Sequence, residues 1–112
     1  MRILLLEDDP VIADILVDFL NERYSVVHCF DGKEALEKAE NDNFDLYVFD
    51  INVPGFSGIK LLQSLRDFND TTPAIFITAY QEVKFLKEGF AAGANDFIRK
   101  PFELDELQAR IE

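Results

Sequence analysis

Three acids, one hydroxyl and one ammonium carry the chemistry this chain offers: Glu7, Asp8, Asp50, Thr78 and Lys100. Each follows a short apolar run that reads as a β-strand: Ile3–Leu6, Leu46–Phe49, Ala74–Ile77 and Phe97-Ile98. The carboxyl ends of parallel strands lie along one edge of a sheet, so groups far apart in sequence can meet there. Three carboxylates have no reason to gather without a cation to join them. An ammonium beside them marks a place where negative charge arrives and leaves. Oxygen donors of this kind suit a hard cation.

Strand and helix patterns that would position these groups alternate five times. Arg2–Leu6 is a continuous apolar run, as expected of a strand covered on both faces. Asp9-Pro10 reads as an N-cap followed by proline at the first helical position, so Asp9 is assigned to capping rather than to metal binding. Val11, Ile12, Ile15, Leu16, Phe19 and Leu20 then recur at helical spacing up to Asn21. Ser25–Cys29 is a second strand, and Asp31 with Glu34 has the spacing of a capping box. Asp45–Phe49 is a third strand, and Leu61, Leu62, Leu65 and Phe68 mark a third helix. Ala74–Ile77 precedes a helix around Val83, Leu86 and Phe90 that Gly93 ends. Asp96–Arg99 is the fifth strand, and Leu104, Leu107 and Ile111 open a fifth helix.

This alternation requires a parallel sheet with right-handed crossovers and helices on both faces. The fold class is therefore α/β, a (βα)5 three-layer sandwich, with the flavodoxin-like strand order 2-1-3-4-5 expected. In that order Glu7, Asp8 and Asp50 emerge side by side at the switch point. Thr78 is next, and Lys100 lies two strands from Asp50, roughly 10 Å at ordinary spacing, which its long stem can span.

A chain of 112 residues is one domain. The formal charge of −11 repels nucleic acid and anionic lipid, so neither is an expected partner. Cys29 is the only cysteine, which excludes an internal disulfide. With no signal peptide or transmembrane run, cytoplasmic placement is expected. His28 and Cys29 fall in the second strand, where a purely structural role away from the site is expected.

Five motifs in order resemble the receiver domains of bacterial two-component response regulators. They are Ile3–Asp9, Asp45–Asp50, Pro54–Gly58, Ile77–Ala79 and Gly93–Phe102, and the resemblance covers the whole chain. It implies that Asp50 accepts a phosphoryl group from a phosphohistidine on a sensor histidine kinase. Asp8 and Asp50 would ligate Mg²⁺ with the backbone carbonyl of Asn52, and Glu7 through water. Lys100, expected to precede a cis peptide bond to Pro101, would contact Asp50 and then a phosphoryl oxygen. Thr78 would bind the phosphoryl group, and Phe97 would be the aromatic switch that swings inward as Thr78 moves. Phe in place of the common Tyr removes an outward hydrogen bond.

The outer face of helix four, strand five and helix five would be what partners read. Asp96, Glu106 and Arg110 match the charged dimer face of the winged-helix transcription-factor subfamily, with solvated surface as the competing reading. The basic residue expected on helix four is not evident, since Leu86 stands there between Lys84 and Lys87. Tyr80 could hinder a hydrolytic water and Asn52 could orient one; the two effects oppose each other and set no expectation for the phosphoryl lifetime. The stop at Glu112 favours a receiver cut from a longer regulator over a minimal one.

Other classes meet specific obstacles. A haloacid-dehalogenase-type phosphatase has its nucleophile after the first strand in an Asp-x-Asp motif, whereas position 52 here is Asn. A flavodoxin-type electron carrier needs a phosphate loop that Glu7-Asp8-Asp9 would repel. A degenerate receiver acting by contact alone is argued against by the complete set of Glu7, Asp8, Asp50, Thr78 and Lys100.

Overall fold

The computed structural model describes the backbone of residues 1–79 and 83–112, and their side chains except those of 83–86. Tyr80 and the side chains of Lys84 and Leu86 thus lie outside the described residues. The elements alternate as β1 (Arg2–Leu6), α1 (Pro10–Asn21), β2 (Ser25–Cys29), α2 (Gly32–Asn41), β3 (Leu46–Asp50), α3 (Gly58–Asp67), β4 (Ala74–Thr78), α4 (Val83–Ala91), β5 (Asp96–Arg99) and α5 (Leu104–Ile111). All strand pairs are parallel, in the order β2-β1-β3-β4-β5. The expected architecture and strand order are those observed.

Side-chain alternation along the strands divides the interior in two. Ile3, Leu5, Val48, Ile75, Ile77 and Ile98 pack with Leu16 and Leu20 of α1 and Leu107 of α5. Leu4, Leu6, Tyr47, Phe49, Phe76 and Phe97 face the opposite way, onto Ala35 of α2 and Leu61, Leu62 and Leu65 of α3. α4 joins this second layer through Gly89, which abuts Phe97 and Phe76.

Several ends of elements differ from expectation for identifiable reasons. β3 and β4 each run one residue further, to Asp50 and Thr78, because the ladder continues through Asp50↔Ile77 and Thr78↔Arg99. The Asp50 and Thr78 side chains are therefore held by strand geometry. Asp9 caps α1, its carboxylate accepting from the N–H groups of Val11 and Ile12. At α2, Asp31 accepts from Glu34 N–H as a capping box requires, but Glu34 reaches back to the N–H of Phe30, one residue early.

α3 and α4 both end in Schellman turns. Asn69 takes the left-handed position at one (φ 64°) and Gly93 at the other (φ 105°). Asp70 N–H donates to Leu65 O, and Ala94 N–H to Gly89 O, closing the two turns. Phe68, counted in the third helix's apolar set, is instead its C-cap and 75% exposed. In α1 the face on the sheet is Ala13, Leu16 and Leu20, leaving Val11 67% and Ile15 51% exposed.

Candidate functional site

The carboxyl ends of β1, β3, β4 and β5 supply one shallow cavity of about 340 Å³, bordered by Glu7, Asp8, Asp50, Asn52, Ala79 and Lys100. Lys100 borders it just after the end of β5, and its peptide bond to Pro101 is cis. Its backbone N–H donates to Thr78 O at 2.8 Å, which sets the start of the side chain beside β4. Lys100 Nζ then donates to Asp50 Oδ2 and to Glu7 Oε1, each at 2.8 Å. The gap of two strands is thus bridged by the lysine stem.

Asp50 and Glu7 are both buried, and so is Thr78. The second Asp50 oxygen, Oδ1, accepts from the N–H of Asn52 at 3.2 Å, a side-chain turn that brings residue 52 to the cavity rim. Glu7 Oε2 accepts from Asp9 N–H at 3.1 Å. Asp8 is the most open of the three acids. One oxygen from each of Glu7, Asp8 and Asp50 lies within 4.8 Å of the others, close enough to share a small cation.

Among the described residues the charges at the cavity do not balance. Three carboxylates face one ammonium, which leaves two negative charges when all are ionised. Asp8 registers the deficit: burial raises its pKa, and its proximity to Glu7 adds to the rise against the pull of Lys100. For Lys100 burial works against the ammonium, but the bonds to Asp50 and Glu7 outweigh it and the pKa is raised. A hard divalent cation with oxygen ligands fits both the donor set and the missing charge.

The residues expected at the site, Glu7, Asp8, Asp50, Asn52, Thr78 and Lys100, are brought to one edge of the sheet. Phe97 sits behind it on the α4 side, turned inward and buried against Phe76 and Phe90, with ring centroids 5.4 and 4.9 Å away. Asp96, Glu106 and Arg110 lie elsewhere, on the β5–α5 surface. There the Arg110 guanidinium donates to both Asp96 oxygens at 2.9 and 3.1 Å and lies 3.8 Å from Glu106.

One expectation is corrected. His28 was expected to be remote from the site, yet its Nε2 lies 2.8 Å from the backbone carbonyl oxygen of Glu7. The strand register explains the reach: β2 ends level with β1, and the imidazole extends past its own partner Leu5 to the end of the ladder. Gly89 was also missed. A Cβ there would lie 2.2 Å from Phe97 Cζ, so its lack of a side chain makes room for the ring.

Fold and site together define a class: a five-stranded flavodoxin-like domain with an acidic, lysine-bearing pocket at the strands' carboxyl edge. Residues 3–112 match the response regulator receiver domain family, and the chain belongs to that family. It is 42% identical over 113 residues to the transcriptional regulatory protein CrdR of Helicobacter pylori. It is 38% identical over 112 residues to the transcriptional regulatory protein CiaR of Streptococcus pneumoniae. These matches take in 99% and 100% of this chain but 53% and 50% of the relatives, so the chain spans about half their length. The receiver domain of Francisella response regulator 1452 superposes with a TM-score of 0.93 at 36% identity, covering 98% of this chain and 92% of that one. A CheY-like receiver domain protein of Methanospirillum hungatei gives 0.93 at 32% identity, covering 98% and 89%. Receiver domains of this family serve two-component signalling and bind Mg²⁺ at an acidic site.

Proposed function

We propose that Asp50 is the phosphoacceptor of this receiver, loaded from a phosphohistidine on a sensor histidine kinase. The observation that carries the reading is Lys100 Nζ bonded at once to Asp50 and Glu7, beside Asp8, at the cavity floor. An Asp50 oxygen attacks the phosphorus in line; the new O–P bond forms as the N–P bond to the imidazole breaks, and the imidazole recovers a proton from solvent. Lys100 exchanges a carboxylate partner for a phosphoryl oxygen, and the Thr78 hydroxyl donates to another. Asp8, Asp50 and the Asn52 carbonyl would hold Mg²⁺, with Glu7 acting through water; the ion would offset carboxylate repulsion and phosphoryl charge. Mn²⁺ has the same preference for oxygen ligands. Beyond its own phosphorylation and dephosphorylation the domain catalyses nothing.

Magnitudes support a switch. Inverting a conformational ratio from 1:99 to 99:1 takes about 5.5 kcal/mol. Two charge-assisted hydrogen bonds to the phosphoryl group supply roughly 3–6 kcal/mol before strain. Thr78 and Phe97 would pass this to the α4–β5–α5 face, which controls an output domain or a dimer. A dimer would require Arg110 to exchange Asp96 or Glu106 for the same residues of a second copy across a two-fold axis. The names of the half-matched relatives favour a transcription regulator with an output domain beyond this receiver, acting in the cytoplasm.

Incubation with Mg²⁺ and acetyl phosphate tests the reading. Mass spectrometry should find one added phosphoryl group, absent without Mg²⁺ and absent in Asp50→Asn. Labelling that persists in Asp50→Asn overturns the assignment.

A further inference from the structure

We propose that His28 is a positioning residue for the acidic pair, its ring setting the Glu7–Asp8 peptide on which Mg²⁺ capture depends. The inference rests on the phosphoacceptor reading above and extends it to a residue outside the pocket. β2 is an edge strand whose pairing with β1 ends at Leu6↔Cys29. The N–H of Glu7 adds one more rung, donating to Cys29 O at 3.1 Å. A parallel ladder would next satisfy the Glu7 carbonyl from the backbone beyond Cys29.

Instead the chain turns into α2 there: the N–H of Phe30 donates to Glu34, and the Asp31 side chain caps the helix. The place of the missing rung is taken by a side chain, with His28 Nε2 lying 2.8 Å from Glu7 O. A carbonyl oxygen only accepts, so Nε2 carries the proton and donates. The Phe30 ring meets the imidazole edge-on, 4.2 Å between centroids at 63°, and limits its rotation.

The peptide unit is planar, so turning the Glu7 carbonyl also turns the Asp8 nitrogen and the Cα that bears the Asp8 carboxylate. Glu7 itself is buried and its carboxylate is committed to Lys100 and to Asp9 N–H. Without a donor, its carbonyl would rotate to find another partner rather than remain unsatisfied. That rotation would swing Asp8 out of register with Asp50. His28 touches no phosphoryl group and works only through this peptide.

Mg²⁺ affinity, measured by calorimetric titration of the whole chain, separates positioning from plain structural support. His28→Phe keeps the ring and its Phe30 contact but has no N–H; His28→Gln restores a donor at similar reach. Val26→Ala, on the same strand against Ile3, loosens β2 without touching Glu7. His28→Phe should weaken Mg²⁺ binding by roughly 3- to 10-fold, at or below the low end of the ~10–100-fold seen for direct outer-layer partners of metal ligands. His28→Gln should recover most of that loss, and Val26→Ala should keep wild-type affinity. Should the Phe variant not fold, His28→Leu gives the same donor-free comparison. Wild-type affinity in the donor-free variant overturns the inference, as does an equal loss in Val26→Ala. A wild-type chain that fails to bind Mg²⁺ sinks the phosphoacceptor reading and this inference with it.

Discussion

Asp8 and Lys100 are perturbed in ways that give opposite consequences for the fold. The Asp8 pKa is raised by burial and by Glu7, so its ionised form is the disfavoured one in the folded chain. A carboxyl whose folded value lies above its unfolded value weakens the fold once the pH exceeds both, and the penalty vanishes below the unfolded value near 3.9. At neutral pH, then, Asp8 costs stability until a cation arrives. Asp8→Asn should raise the melting temperature of the metal-free protein and abolish the rise that millimolar Mg²⁺ produces in the wild type. Thermal melts with and without Mg²⁺ check both halves; a variant that still gains from Mg²⁺ removes Asp8 from the ligand set. Asp50, Asp8 and Lys100 were legible in the sequence because each closes an apolar run. The direct grip of Glu7 on Lys100 was not, since it depends on side-chain reach from β1 to β5, across the two strands between them.

The same limit applies between elements, where α4 and β5 meet. Apolar periodicity located both but could not reveal that Gly89 is the point of contact, because a missing side chain leaves no pattern. Phe97 lies between Phe76, Phe90 and the backbone of Gly89. Below them Arg66 ties the fixed ends together: its guanidinium donates to the carbonyls of Asp70 and Thr72 before β4 and of Gly93 before β5. Any motion of Phe97 therefore pivots on an anchored end. Gly89→Ala gains about 1 kcal/mol of helix propensity but forces a methyl into the ring. Overpacking of this kind costs roughly 1–3 kcal/mol, so the variant should be neutral to 2 kcal/mol less stable. In a Phe97→Ala background the clash with that ring is gone and the nearest remaining neighbour of the methyl is Phe76, at 3.1 Å, so the same substitution should become stabilising. Urea denaturation of the four proteins of this cycle decides it; a Gly89→Ala effect that ignores residue 97 would mean the two do not meet.

For the molecule as a whole, the strand order followed from alternation and crossover handedness, with boundary differences at β3, β4 and the end of α3. Val11 and Ile15 sit at helical positions that periodicity alone cannot tell from core, and Phe68 continues the apolar spacing one residue past the end of α3. Stability against pH sums groups that no single element contains. Burial, helped by Glu34 nearby, pushes the Cys29 thiol up to about 12 from 9.0. Burial and the hydrogen bond to Asp70 raise Tyr47 as well, and Lys100 is raised by its carboxylate partners despite burial. All three folded values exceed their unfolded ones, so each favours the fold below its unfolded pKa, and the advantage is lost as the pH climbs toward the folded value. Cys29 acts first because its unfolded value is the lowest of the three. The urea midpoint should therefore hold level to about pH 9 and fall steadily above it. Cys29→Ala leaves a smaller group in the core and should lower the midpoint throughout, yet flatten the first part of that fall, before Tyr47 and Lys100 take over. An unchanged slope just above pH 9 in this variant would mean that the thiol reaches water in the folded chain.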